Sequence, residues 1–345
     1  MRNRIATFLA LSIAGICLQS TRADNLPLQG DKYVIVAEGT NDVHRGSNLR
    51  SAYSTATTLN PAATNRVIVI VPPGNYNLNG SDLTMNSNYV DLVGLVPCQM
   101  TGKQVFTDPN GTKRMKTVAK VHCPVRIFGA SVSQSAGDVT IQSLIISNYY
   151  PTVVSTNTVL QHVSMTSMRT AFDFAGQYID CVGGDNSFAG GDQLDEPRPV
   201  ASGTFIDCVA GVHSFGGEDD STASGVFVNC TGKEFCFGGS EVSTASGVFI
   251  RCLGGTESFG GAGGGAIVTG TFIECVSGCC SFAGDGTASG TFIDCTGEYS
   301  CFGGGYGTLA GSAVLRHCAA TGTSFGSYAT SSGDFNYNVN FSNGN

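Results

Sequence analysis

From Gly176 to Ser327 one pattern of apolar and polar positions recurs. A hydroxylated or β-branched residue is followed by Phe, an aliphatic residue, a polar residue and Cys, with a second Phe seven residues after the Cys. Five segments align without gaps: Ala201 to Gly217, Ala223 to Gly239, Ala245 to Gly261, Val268 to Gly284 and Ala288 to Gly304. Degenerate copies flank them around Tyr178 and Leu315, and all seven copies keep the spacing from Cys to Phe, from Cys181 and Phe188 to Cys318 and Phe325. The period is 20 to 27 residues. Its runs are short, rich in β-branched and aromatic residues and cut by Gly and Ser. That rules against a helical repeat, and the Leu and Asn pattern of a leucine-rich repeat is absent. The pattern predicts an all-β chain, a parallel β-helix in which each coil stacks on the last at about 4.8 Å, with roughly ten coils in all.

Stacking turns every repeat position into a column. Phe205, Phe227, Phe249, Phe272 and Phe292 form one aromatic ladder, the second Phe of each copy another, the seven Cys a thiol column, and Ile206, Val228, Ile250, Ile273 and Ile293 an aliphatic one. Strict alternation cannot bury Phe205, Ile206 and Cys208 together. A bend within Phe-Ile-Asp-Cys is therefore expected, turning Phe and Cys inward, because a ladder of five exposed Phe would be a large apolar patch.

Ahead of the repeats stand Gly39-Thr40-Asn41-Asp42 and the amphipathic stretch Ser47 to Thr58. The run Val67-Ile68-Val69-Ile70-Val71-Pro72-Pro73-Gly74-Asn75-Tyr76 and then Val90-Asp91-Leu92-Val93-Gly94 follow. This order resembles the N-terminal cap and first coils of pectin-lyase-like β-helix proteins, such as polysaccharide lyases and phage tailspikes. The resemblance implies a right-handed parallel β-helix with an N-terminal cap helix. It implies little about activity, since that fold carries lyases, hydrolases, adhesins and inert shafts. The expected division is a cap over 24–65, a β-helix over 66–327 with clear repeats over 176–327, and a C-terminal capping strand or tail over 328–345. In that tail Phe335, Tyr337, Val339 and Phe341 alternate with Asn.

Residues 1–23 read as a signal peptide: Arg2 and Arg4, an apolar run from Ala6 to Leu18, and a small-residue cleavage site at Thr21-Arg22-Ala23. A secreted or cell-surface protein is expected, and no other apolar run is long enough to span a bilayer. Loss of three Arg with the peptide takes the formal charge from −8 to −11, which disfavours nucleic acid as a partner. The charge is uneven. Asp24 to Ala175 holds 11 basic and 9 acidic residues, whereas Gly176 to Ser327 holds 4 and 16.

Thirteen Cys follow the peptide. Cys98 and Cys123 bracket a turn-bearing insertion, Asp108-Pro109-Asn110-Gly111, and are the disulfide candidate. The ladder Cys suit a stack of small buried thiols. Cys236 and Cys301 lie three coils apart, about 14 Å, too far to pair. Cys279-Cys280 lacks His partners at metal-ligand spacing.

Chemistry has two candidate places. The links between copies vary in length at one edge, which is acidic through Asp192, Asp195, Glu196, Glu218, Asp219 and Asp220. Such carboxylates can hold Ca²⁺ or a ligand, or simply keep the rod soluble. The second place is the column before the Cys ladder, with Asp180 next to Asp207 and Arg251 between Asn229 and Glu274. Carboxylates on adjacent coils, about 5 Å apart, suit the acid and nucleophile of a retaining glycosidase. A plain surface charge ladder, in which Arg251 relieves repulsion, is the favoured account of the column. Arg198 sits in the longest link and is a fragment of the pectate-lyase Arg-and-Pro motif. The fuller catalytic motifs of polygalacturonase-type hydrolases are absent.

The regular repeats favour a non-catalytic scaffold, secreted or on the cell surface, that presents an acidic repetitive face to a polysaccharide, to a cell-envelope glycan or to copies of itself. The alternative is a polysaccharide lyase or glycoside hydrolase with its site near Asp180 to Asp220.

Overall fold

The computed structural model describes residues 32–168, 173–190, 198–217, 219–239, 242–261, 263–304, 306–321 and 325, and the backbone of 334–336 and 339–341. The expected signal peptide lies outside the described residues. The chain is a parallel β-solenoid of about 11 turns, and its one described helix lies near the N-terminus. No described helix is long and apolar enough to cross a membrane.

That helix, Asp42–Thr57, starts where Asn41 accepts the His44 amide at 2.8 Å, satisfying one of the donors a helix leaves open at its first turn. Leu49, Ala52, Tyr53 and Ala56 follow at helical spacing and are buried against the first coils, which closes the open end of the core. Gly46 permits the approach, since a Cβ there would meet the Asn77 carbonyl oxygen at 2.0 Å. Val67–Val71 lies in parallel between Lys32–Ile35 and Val90–Gly94, which is why it is apolar at every position. Asp91, nearly buried in the next strand, is held by a fork of Arg66 at 2.8 and 2.6 Å.

In the repeats, three-residue strands from Thr204–Ile206 to Val314–Arg316 pair in parallel so that Phe205, Phe227, Phe249, Phe272 and Phe292 stand in register. Both Phe ladders and the thiol column are buried, as expected for the inward orientation. The bend that achieves this is a left-handed residue. Asp180, Asp207, Asn229, Arg251, Glu274, Asp294 and His317 all have φ between 50° and 55°. Asp and Asn tolerate this region best among residues with a Cβ, and they hold four of the seven positions. Before the strand, stacked glycines turn a second corner, where a Cβ on Gly225 would meet the Gly203 carbonyl oxygen at 2.2 Å.

The second Phe ladder is also left-handed, with φ of 52° to 58° from Phe188 to Phe302. That conformation costs about 1–2 kcal/mol per residue. Aromatic packing offsets it. Phe237 stacks on Phe215 and Phe259, each at 4.8 Å, and meets Phe227 and Phe249 edge-on at 5.6 and 6.0 Å. Four such contacts, each worth about 0.5–1.5 kcal/mol and each shared by two rings, balance the strain before burial is counted.

The ladder thiols donate to carbonyls of the preceding coil, as Cys252 does to Phe227 at 3.4 Å. Burial pushes the thiols of Cys208, Cys252 and Cys295 well up, and those of Cys236 and Cys301 up to about 12. Iodoacetamide under native, reducing conditions is expected to modify, of the free cysteines described, only the partly exposed pair, Cys279 before Cys280, whose thiol is pushed up to about 12 by desolvation and by the neighbouring Cys279. Native labelling of Cys230 or Cys252 would mean that the core opens.

At the C-terminal end, Asp334–Asn336 and Val339–Phe341 pair in parallel on Val314–Arg316 and Ala319–Thr321. Two short strands there continue the stack.

Candidate functional site

The first coils throw out one long excursion. Gln99–Thr107 and Lys113–His122 form an antiparallel hairpin, and a disulfide between Cys98 and Cys123, Cα atoms 4.7 Å apart, closes its neck. Asp108 builds the tip: its carboxylate accepts the amides of Asn110 and Thr112 at 3.2 and 2.8 Å, and Gly111 takes the left-handed position at φ 84°. Nine extended residues reach about 30 Å, and six stacked coils span about 24 Å. The hairpin accordingly lies along the rod, from the coil of Asp180 to that of Asp294.

It lies on the left-handed column. Asp180 accepts the Met100 amide at 3.2 Å and the Thr101 hydroxyl, and sits 2.7 Å from His162 Nδ1. Lys103 pairs with Asp207, which also accepts Asn229 Nδ2 at 2.9 Å. Thr117 donates to the Asn229 carbonyl, and Arg114 donates to the Asp294 carbonyl and to Thr296 Oγ1, each at 3.1 Å. Between Gln99 and His122 stand five basic residues and one acidic, the reverse of the repeats beneath them. The attraction between a basic strap and an acidic rod accords with this docking.

Burial alone would raise the pKa of Asp180. The hydrogen bonds from His162, Thr101 and the Met100 amide outweigh it and hold the carboxyl below its ordinary value. A depressed folded pKa contributes stability above the unfolded value of about 3.9, and that contribution is lost as pH falls through the folded pKa. Asp180→Asn is expected to speed amide exchange over 99–122 at pH above about 5, and to differ less from wild type once pH has fallen well below about 3.9. Asn suits the corner, as Asn229 shows. An equal difference at both pH values would mean that the charge of Asp180 plays no part in docking.

Arg251 and Glu274, the two column residues midway along the hairpin, are exposed. Arg251 Nε donates to Asn229 Oδ1 at 2.8 Å. With Phe106, Lys113, Met115 and Val276 they line a cleft of about 340 Å³ between hairpin and rod. A second cleft of about 430 Å³ lies against the hairpin tip, between Phe106, Pro109, Glu234 and Glu298.

At the acidic edge, Arg198 forms an ion pair with Asp220 of the following link, so it stands apart from the column. Asp219 is half-buried beside it. Asp192, Asp195, Glu196 and Glu218 lie outside the described residues. Among the described residues no group of three or more His, Cys, Asp or Glu is placed to hold a metal ion.

Sequence reasoning saw the turn at Asp108 to Gly111 and the bracketing cysteines but missed that the insertion folds back over the column. The signal was present in the clustering of Lys103, Lys113, Arg114, Lys116 and Lys120 in a chain whose repeats are acidic. No family model matches the chain, and no curated protein or solved structure matches it.

Proposed function

We propose that this protein is a non-catalytic, exported scaffold that binds glycan chains along its solenoid. The observation that carries the reading is the engagement of the carboxylate column by the chain's own hairpin. Asp180 and Asp207, the pair whose spacing suits a retaining glycosidase, are each held by hairpin groups and by His162 or Asn229. A general acid also needs a raised pKa, and that of Asp180 is lowered. The cleft at Phe106, Lys113, Arg251 and Glu274 supports a sugar ligand, because a sugar ring is apolar on its face and hydroxylated at its rim.

The test is incubation of the full chain with acidic and neutral polysaccharides, with and without Ca²⁺. Unsaturated products, new reducing ends and retention on the immobilised glycans are followed together. Retention without products is expected, weakened several-fold by Arg251→Ala. Unsaturated products would establish a lyase and reducing ends a hydrolase, and either would overturn the scaffold reading. Absence of retention on every glycan would overturn the glycan reading.

A further inference from the structure

Cys279 and Cys280 stand apart from the other free cysteines described. The rest are buried, these two are partly exposed, and their sulfurs are 2.7 Å apart. That separation is well inside van der Waals contact and approaches the covalent S–S distance of about 2.0 Å. The pair does not belong to the thiol ladder. It occupies the outer corner at which other coils place Asp185-Asn186, Val212-His213, Glu234-Phe235, Thr256-Glu257 and Tyr299-Ser300.

The repeat itself sets the backbone at this corner. The second residue is left-handed in every coil, with φ of 57° at Cys280 against 54° at Glu257 and 56° at Ser300. The stack pins the corner from both sides: Glu257 N donates to the Cys279 carbonyl and Cys280 N to the Tyr299 carbonyl, each at 2.8 Å. Two sulfurs are thus held in contact by a backbone that forms without them. Oxidation needs only a small movement of the side chains.

We propose that Cys279 and Cys280 form a reversible vicinal disulfide, a redox-responsive site on the outer corner of one coil. The oxidant is a small dissolved disulfide such as oxidised glutathione. One cysteine loses its proton and attacks a sulfur of the oxidant, forming a mixed disulfide and releasing one glutathione thiolate. The neighbouring cysteine, also deprotonated, attacks the protein sulfur of that mixed disulfide and displaces the second glutathione. Two protein thiols are oxidised to one S–S bond, one glutathione disulfide is reduced to two thiols, and the protons pass to the released thiolates.

The adjacent Cα atoms are about 3.8 Å apart, below the common disulfide range of about 4.4–6.8 Å. A bond across them is reduced more easily than the one between Cys98 and Cys123, whose Cα atoms are 4.7 Å apart. The corner therefore responds to redox conditions that leave the hairpin neck closed.

The experiment treats the full chain with oxidised glutathione, alkylates it natively with iodoacetamide, and reads the peptide spanning 279–280 by mass spectrometry. The expected peptide is lighter by two hydrogens, carries no glutathione and loses both alkylation sites together. Mild dithiothreitol should restore both sites while Cys98–Cys123 stays bonded. Cys280→Ser should retain glutathione on Cys279 instead, and it should fold, because Ser300 fills the same position one coil on. A stable glutathione adduct in the wild-type chain, independent alkylation of the two cysteines after oxidation, or a bond from either to another cysteine would each overturn the proposal.

Discussion

Phe249→Ala is expected to lower the unfolding free energy by about 3–5 kcal/mol. Phe249 is fully buried and stacks on Phe227 and Phe272 at 4.8 and 4.7 Å, and it meets Phe237 and Phe259 edge-on at 6.0 and 5.6 Å. Its removal opens a void bounded by four rings. The parallel strands on either side hold those rings at the coil spacing, so the void cannot close by collapse. A solenoid is stabilised through contacts between neighbouring coils, and a defect in the middle weakens two interfaces at once. Leu315, in the same column near the C-terminal end, is expected to tolerate truncation better. Thermal unfolding of the full chain is the measurement, and a midpoint equal to wild type would sink the claim that the ladder is a continuous core.

The second large effect is local. Asp108→Ala is expected to weaken docking of the hairpin tip by about 3–5 kcal/mol, the usual result when one partner of a buried ion pair is removed. The Asp108 side chain is fully buried, and Arg114, with 17% of its side chain exposed, contacts it at 2.5 Å while donating onward to the coil of Asp294. Without the carboxylate the guanidinium keeps its burial and loses its counter-charge. The amides of Asn110 and Thr112 lose their acceptor in the same step. The rod does not depend on this contact, so the unfolding midpoint should move little. Amide exchange and proteolysis over 99–122 should rise sharply. Protection of that segment unchanged from wild type would show that the contacts of Met100, Thr101, Lys103 and Thr117 hold the strap without the tip.

Arg251 and Asp207 mark the limit of what the pattern of residues reveals. Both belong to the column legible from the repeats, and both take the left-handed corner that the clash between alternation and burial required. Their neighbours across space were not legible. Lys103, 104 residues before Asp207 in the chain, neutralises it, whereas Arg251 faces a cleft whose far wall is Phe106, Lys113 and Met115. The column is monotonous in sequence and differentiated in space, because one non-repeating segment touches some of its members and leaves others open. Arg198 shows the same limit: the longest link made it a candidate, and its ion pair with Asp220 of the following link was not legible.

By itself the sequence determined the solenoid, the register of its coils, both aromatic ladders and the inward thiols. Each follows from a short-range pattern repeated with the period of the coil, and parallel stacking converts identity in sequence into adjacency in space. Only the tertiary structure decided where the hairpin lies, which carboxylates it occupies, where a cleft stays open and that Cys279 and Cys280 meet outside the ladder. These depend on contacts made once, between segments far apart in the chain, and a contact made once leaves no period to read.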